Sequence, residues 1–536
     1  MNRREFITRA VVAGNLPLTK QLATMFAPQA LAEESKPRFD SRISFETSDS
    51  KYRTLYARAL GVLEGNITYV GGYSEPVLIE GSNYEGIWLE CAPQEGLAYF
   101  PVRPDIARNN QLAFFAGQRE DGQLPCWLRT SGSGFGQIQM VVPIAATAWE
   151  LAEQSGDGEL LDKAYAACAR WDQWLQRYRD TRRTGLCEGF CTWDTGHDNS
   201  PRWAGIPNQC PDGDARKCPP VASLPRLCPD LSATVYGGRI ALAAMARALG
   251  KSSEADRWLQ DAETLRGKII SRLYHASDTA FYDLDPYDHW IRIRSDVISR
   301  VLGEHVPAPD LFETIYHGQV HNPAAFWPLY PLPSIAIDDP AFVRPIVRNC
   351  WGGPSQALTA LRAPRWMERY GKPADLAYLM LQWVSAILGE RQFLQQMDPL
   401  NGRFTPDRGG YSPTALVFVD FTWRLRGVRA FQDSLEWNVR PPTEDVHSSY
   451  RLRITPTRTA EIRYRPRNAE LFVNDKLLYR TSSTVRLVTN QQGKIASVSG
   501  IANERTDVLL ESPSGAHFKL SVNPNTSIAW VDQEAL

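Results

Sequence analysis

The sequence predicts a mainly α protein, an (α/α)6 six-hairpin barrel followed by a small C-terminal β-sandwich, and three observations predict it. From about Tyr52 to Val428 apolar residues recur at helical spacing in one segment after another; the connecting loops are long and rich in Gly, Pro and Trp; and after Val428 the period of the pattern falls to two. A chain of 536 residues also exceeds the size at which one hydrophobic core stops growing, which calls for a large domain and a smaller one. The boundaries that follow are a leader over 1–32, a helical domain over 33–430 and a β domain over 431–536.

Each helical element has its own signature. Leu161, Ala164, Tyr165, Cys168, Trp171, Leu175 and Tyr178 keep one face apolar, as do Leu231, Val235, Leu242, Met245 and Leu249. Gly250-Lys251-Ser252 then separates that helix from the stripe Ala255, Trp258, Leu259, Ala262, Leu265, Ile269 and Leu273, a connection so short that the two helices form an antiparallel hairpin. Further patterns near 50–65, 104–118, 137–155, 294–304, 309–318, 355–370, 372–390 and 411–426 bring the total to about eleven, close to the twelve helices of six hairpins. Beyond Val428, Tyr450, Leu452 and Ile454, then Ala460, Ile462 and Tyr464, alternate with polar neighbours, and turn residues separate the short strands. A β-sandwich joined through Pro441-Pro442 is the simplest arrangement, with a structural role, since few aromatics share an outward face.

The ends and the overall charge restrict the partners. Asn2-Arg3-Arg4-Glu5-Phe6-Ile7, a weakly apolar run and Ala30-Leu31-Ala32 resemble a twin-arginine signal with its cleavage site, so the chain is expected to use the twin-arginine export machinery and to reside in a periplasm or outside the cell. Asn15, Pro17, Lys20 and Gln21 break that run long before the ~20 apolar residues needed to span a bilayer. A net charge of -1 gives no electrostatic footprint for nucleic acid. Nine cysteines, five of them at 187, 191, 210, 218 and 228, point to disulfides bracing one long loop rather than to zinc, because paired C-x2-C knuckles are missing. Asp212-Gly213-Asp214 lacks the rest of a calcium loop, and no metal or cofactor is called for.

The chemistry concentrates in Gly189–Trp203, which places Phe190, Trp193, Asp194, His197, Asp198, Asn199, Arg202 and Trp203 in fifteen residues. Hydrolysis of a glycosidic bond needs a protonated carboxyl beside the leaving oxygen and a second carboxylate to activate water or attack carbon. A carboxyl set among tryptophans loses solvation, which raises its pKa and retains the proton near neutral pH. Asp-Asn-Ser-Pro is also turn chemistry in its own right, so a helix cap is the competing reading of Asp198.

Thr195-Gly-His-Asp-Asn-Ser-Pro-Arg202 resembles the Ser-Gly-x-Asp-Asn-Ser-Pro-Arg loop of the helical-barrel glycosidases that include processing α-glucosidase I, mannosylglycerate hydrolase and, more distantly, trehalase. Pro229-Asp230-Leu231-Ser232, Leu273-Tyr274 with Thr279–Asp283, and Cys350-Trp351-Gly352-Gly353-Pro354 continue the resemblance in order over about 50–428. It implies that Asp198 is the general acid and that Arg202 binds substrate or holds a carboxylate. Trp88, Trp193, His197, Asn199, Trp203 and Trp351 complete the expected sugar pocket.

One departure bears on mechanism. Where the resemblance leads one to expect a glutamate as general base, the chain reads Gln395 ahead of Asp398-Pro399, and an amide cannot take a proton from water. Glu90, Glu390, Asp398 and Asp407 are the carboxylates that could substitute, with Glu90 and Asp407 preferred because both fall in loops expected at the barrel mouth. The expectation is therefore an exo-acting, inverting glycoside hydrolase that removes a sugar from an oligosaccharide or glycoconjugate. The rivals are a catalytically silent carbohydrate-binding protein and a polysaccharide lyase on the same barrel.

Overall fold

The computed structural model describes residues 41–530, and the leader expected over 1–32 lies outside them. Among the described residues twelve α-helices precede a β-rich C-terminal region. They are α1 (Ser50–Gly65), α2 (Ala92–Tyr99), α3 (Pro104–Ala116), α4 (Ile144–Ser155), α5 (Gly158–Tyr178), α6 (Pro229–Ala248), α7 (Ser252–Leu273), α8 (Val297–Gly303), α9 (Pro309–Ile315), α10 (Ala357–Met367), α11 (Pro373–Glu390) and α12 (Ser412–Arg426). None of the described helices is long and apolar enough to cross a membrane.

The helices sort by burial. α6 and α12 bury nearly every side chain, whereas α5 and α7 bury one stripe and leave the opposite face wet. A helix that is apolar all round must be enclosed by others, and an amphipathic one covers it. The contacts agree: α2, α4, α6, α8, α10 and α12 each pack on the next, and α12 packs back on α2, closing a ring. α1 lies against α12, α3 against α2 and α4, α5 against α4 and α6, and α7 along α6 as the expected hairpin, with Gly250 at φ 75° making the turn.

Two local readings change. α2 carried no recognisable stripe, because its eight residues are mostly buried and Gly96 presses against Asn110 and Ala107. The helix expected over 137–155 begins only at Ile144; the preceding stretch is irregular, with Gln139 at φ 44° and Pro143 at the N-cap. Asn110 is fully buried, and its amide bonds Leu78 N and O and Ala92 O at 2.9–3.0 Å, tying α3 to two loops.

The C-terminal region supplies β2 (Val428–Ala430), β3 (Ser434–Val439), β4 (Ser448–Thr455), β5 (Arg458–Arg465), β6 (Asn468–Val473), β7 (Lys476–Thr481), β8 (Val485–Asn490), β9 (Ile495–Ser499), β10 (Thr506–Glu511), β11 (His517–Val522) and β12 (Ser527–Ala529). A further strand, β1 (Ile43–Thr47), comes from the segment read as part of the helical domain and pairs antiparallel with β4, Ile43 opposite Leu452. The sheets run β1-β4-β5-β6-β7-β10-β11 and β2-β3-β8-β9-β12. Register aligns the period-two residues: Tyr450, Ile462 and Leu471 are successive partners in one sheet, and Trp437, Leu487 and Val498 in the other, all buried. Arg486 of β8 ties this region to the helices by a two-pronged pair with Glu368, just beyond α10.

All nine cysteines are free thiols, so the long loop is not braced by the disulfides expected there. Arg179 takes over that role. Its guanidinium sits among Asp194, Cys191 and Cys210, pairs with Asp194 and reaches Cys210 Sγ at 3.8 Å, occupying the space an ion bound to those three side chains would need.

Candidate active site

The loop that carries Asp198 is anchored on both sides by buried charge. Upstream, Asp194 accepts hydrogen bonds from Ile138 N at 2.8 Å and Phe190 N at 2.7 Å while paired with Arg179. Downstream, Arg202 makes bidentate pairs with Asp230 at 2.7 Å and with Asp283 at 2.6–2.8 Å. His197 joins this network as a neutral ring: burial pulls its pKa down to about 4, and Arg300 reinforces that against the opposing carboxylate of Asp296. Its Nδ1 accepts from Arg202 at 3.0 Å, so the proton is on Nε2, which donates to Asp296 Oδ1 at 2.7 Å. With both flanks pinned, residues 195–200 have little freedom and Asp198 is presented in a defined place.

Asp198 opens into a cavity of about 330 Å3. Glu80 and Glu90 share it as the other carboxylates, Tyr84, Trp88 and Trp351 supply aromatic faces, and Gln139, Asn349 and Gln395 supply amides. Among the described residues no lysine or arginine lines it. Most of these residues lie just ahead of a ring helix: Glu90 before α2, Gln139 before α4, Trp351 before α10.

The three carboxylates differ in state. Burial raises Asp198 to about 6; Asn349, donating to Oδ2 at 2.7 Å, pulls down, Glu90 pushes up, and Trp193 donates a further hydrogen bond. Burial also raises Glu90, but Arg362 and Arg300 and a hydrogen bond from Gln139 favour its ionised form. One of its oxygens, Oε2, is buried without a partner and lies against Gly196, where a Cβ would come within 1.5 Å of it. Glu80 is raised furthest, by burial and then by the neighbouring Glu95, and accepts from Tyr411 Oη at 2.6 Å. Burial thus raises all three acids: Asp198 to about 6, Glu90 against the opposing pull of two guanidiniums, and Glu80 well above the usual carboxylate range.

Of the residues singled out from sequence, Asp198, Glu90, Trp88 and Trp351 meet in this cavity. Trp193 reaches the Asp198 carboxyl, and Asn199, exposed at φ 54°, donates to Asn349 O at 2.8 Å. His197, Arg202 and Trp203 do not reach it. The first two are committed to the buried charge network, and Trp203 is a core side chain, its Nε1 on Thr195 Oγ1 at 2.9 Å and Arg226 stacked on its ring. Asp407 is also displaced from the role considered for it: Arg348 Nε at 2.9 Å, Asn83 Nδ2 at 2.7 Å and Arg408 N at 2.7 Å occupy its oxygens, and it does not line the cavity. Asp398 caps its own turn through Leu400 N at 2.8 Å, and Glu390 is exposed at the end of α11. Glu80, Tyr84, Gln139 and Asn349 were not legible as site residues; only Asn349, beside Cys350-Trp351, had a motif next to it.

A second cavity, between α4, α5 and α6, is lined mostly by apolar side chains such as Leu89, Met140, Leu175 and Leu242; of its polar groups, Asp172 is paired with Arg239 at 2.8 Å.

Residues 96–423 match the family model described as the mannosylglycerate hydrolase MGH1-like glycoside hydrolase domain. Among solved structures, the GH63 mannosylglycerate hydrolase from Thermus thermophilus in complex with glucose superposes with a TM-score of 0.55 at 20% identity, over 69% of this chain and 99% of that one. Neutral trehalase Nth1 from Saccharomyces cerevisiae gives 0.51 at 13% identity, over 69% and 80% of the two chains. An α-L-rhamnosidase from Dictyoglumus thermophilum gives 0.52 at 11% identity, over 91% of this chain and 50% of that one. At these identities the structural likenesses concern the fold. No protein of curated function matches the chain.

Proposed function

The chain belongs to the mannosylglycerate hydrolase MGH1-like glycoside hydrolase family and is a glycoside hydrolase acting on a carbohydrate, and from that premise we propose that it removes one terminal sugar, at an α-linkage, with inversion of configuration. We read the closed ring of α2, α4, α6, α8, α10 and α12 as the inner layer of an (α/α)6 barrel, and the two C-terminal sheets as a β-sandwich. Export through the twin-arginine machinery to a periplasm or beyond is part of the same proposal and rests on the motif at Arg3-Arg4.

The observation that carries the mechanism is the contrast between Asp198 and Glu90 in one cavity. Asp198, with a pKa of about 6, keeps a useful fraction of its proton near neutral pH and delivers it to the leaving oxygen. Glu90, raised by burial with Arg362 and Arg300 opposing that rise, accepts the proton of the attacking water when ionised, the task the amide of Gln395 cannot perform. Trp88 and Trp351 offer apolar faces to the sugar's C–H groups, and the amides of Gln139, Asn349 and Gln395 offer partners for its hydroxyls. With no basic side chain in the lining, a uronate would have no counter-charge, which weighs against a lyase.

The test is a panel of α-linked disaccharides and glycosylated hydroxy acids, with proton NMR following the anomer first released. Asp198→Asn is expected to lower kcat by about 10²–10⁴-fold while a substrate still quenches tryptophan fluorescence. Unchanged turnover in that variant would end the acid assignment, and first release of the anomer with retained configuration would end the water-attack mechanism.

A further inference from the structure

Gln395 stands where a base is expected, yet it is neither idle nor free. Its Oε1 accepts from Tyr84 Oη at 3.0 Å, its Nε2 donates to Asn349 Oδ1 at 3.0 Å, and Asn349 Nδ2 donates in turn to Asp198 Oδ2 at 2.7 Å. We propose that Gln395 is a positioning residue for the acid: acting through Asn349, it fixes which end of that amide faces Asp198. The inference rests on Asp198 being the proton donor.

The chain of bonds has one polarity. An amide has a donor end and an acceptor end, and reversing Asn349 would set its N–H groups against those of Gln395 and its carbonyl against a carboxylate. At the far end the Tyr84 phenol, kept neutral by burial and by Glu80 and Asp198, remains a donor and holds Gln395 Oε1 toward itself. The backbone of Asn349 is clamped independently, at φ 47°, by Asn199 Nδ2 on its carbonyl at 2.8 Å, while Trp351 N bonds Asp198 O at 2.9 Å, so the freedom left to Asn349 is mainly the rotation of its amide. Gln395 removes it.

This gives the glutamine a physical meaning. An ionised glutamate at 395 could only accept, so the Asn349 N–H would turn toward it and the Asn349 carbonyl would face Asp198, repelling its charged form. With glutamine, the N–H faces Asp198 and steadies the carboxylate formed after each proton transfer. The position has exchanged base chemistry for control of the acid, and Glu90 is left to activate water.

The remaining groups facing Asp198 are Glu80, Glu90 with Arg300 and Arg362 behind it, Tyr84 and Trp193. Of these only Tyr84, which loses its acceptor, is touched by Gln395→Met, which keeps the chain length and deletes both hydrogen-bonding ends. Difference infrared spectroscopy of the full chain, with the Asp198 band assigned by loss in Asp198→Asn, reads the acid's titration without any substrate.

Asn349→Ala should raise that titration by about one pH unit and Gln395→Met by about half as much, although Gln395 does not touch Asp198. Tyr84→Phe, which changes one hydroxyl, should move it in the same direction and stands in if Gln395→Met fails to fold. In an Asn349→Ala background, Gln395→Met should add nothing. The relay is overturned if Gln395→Met and Tyr84→Phe leave the titration in place, or if the Gln395→Met shift persists undiminished without Asn349. Lack of turnover on every sugar would sink the hydrolase reading and leave these shifts readable, so the two failures are distinct.

Discussion

Asp198, on the proposed mechanism, donates only while it holds its proton, so its pKa of about 6 sets the alkaline limit of activity. On the proposed mechanism kcat/KM should fall tenfold per unit as pH rises above about 6. Glu90 imposes the opposite limb, since it must be ionised, and Glu90→Gln should cost about 10²-fold or more in kcat with KM little changed. A pH profile that keeps its alkaline limb in Asp198→Asn would contradict the first assignment; full activity in Glu90→Gln would contradict the second. Arg202, expected to bind substrate or hold a carboxylate, holds two, and so acts on stability. Its loss takes both guanidinium bonds from buried Asp283 and leaves buried Asp230 only Arg300 at 3.5 Å, so Arg202→Met should destabilise the fold by about 3–5 kcal/mol in urea denaturation.

At the scale of the element, the loop from Glu188 to Trp203 works because its neighbours leave a gap of defined size. Gly196, at φ 63°, sits so close to Glu90 that a methyl group would lie 1.5 Å from Oε2. Gly196→Ala should therefore cost about 1–3 kcal/mol in stability, from the strained φ and the clash, and should lower kcat by moving Glu90. A variant with wild-type Tm and kcat would show that Glu90 has another place to go. The same element shows the limit of sequence pattern. Its aromatic and polar density pointed to chemistry, but Arg202 and Trp203 carry the same letters whether they face a sugar or a core. What separates them is which partner is buried beside them, Asp283 and Thr195, from 8 to 81 residues away.

Across the whole molecule, the helical and β regions meet through buried charge. Glu368, just beyond α10, is held at about 2 because Arg486 of β8 outweighs the effect of burial, with Arg429 and Arg424 adding to it. A carboxylate depressed in the folded state stabilises it fully above its unfolded pKa, about 4.5, and that contribution is lost as pH falls from there toward 2. Glu368→Gln should remove about 3 kcal/mol at neutral pH and flatten the acid limb of stability between pH 4.5 and 2, as read by urea melts at several pH values. An unchanged slope would mean that other groups govern acid unfolding.

The sequence by itself determined the periodic elements and the place of the loop bearing Asp198, because helix and strand spacing and turn chemistry act over a few residues. It could not show α2, which has no wet face to create a stripe, nor that β1 leaves the helical segment to edge a C-terminal sheet, since a lone strand takes its identity from its partner. Only the tertiary structure decided which carboxylates meet. Glu80, Glu90 and Asp198 are brought to one cavity by the closure of the helical ring, and Asp407, as good a candidate in letters, is claimed by Arg348 and Asn83. A carboxylate's chemistry depends on burial and on charges a few ångströms away, and those are set by elements far apart in the chain.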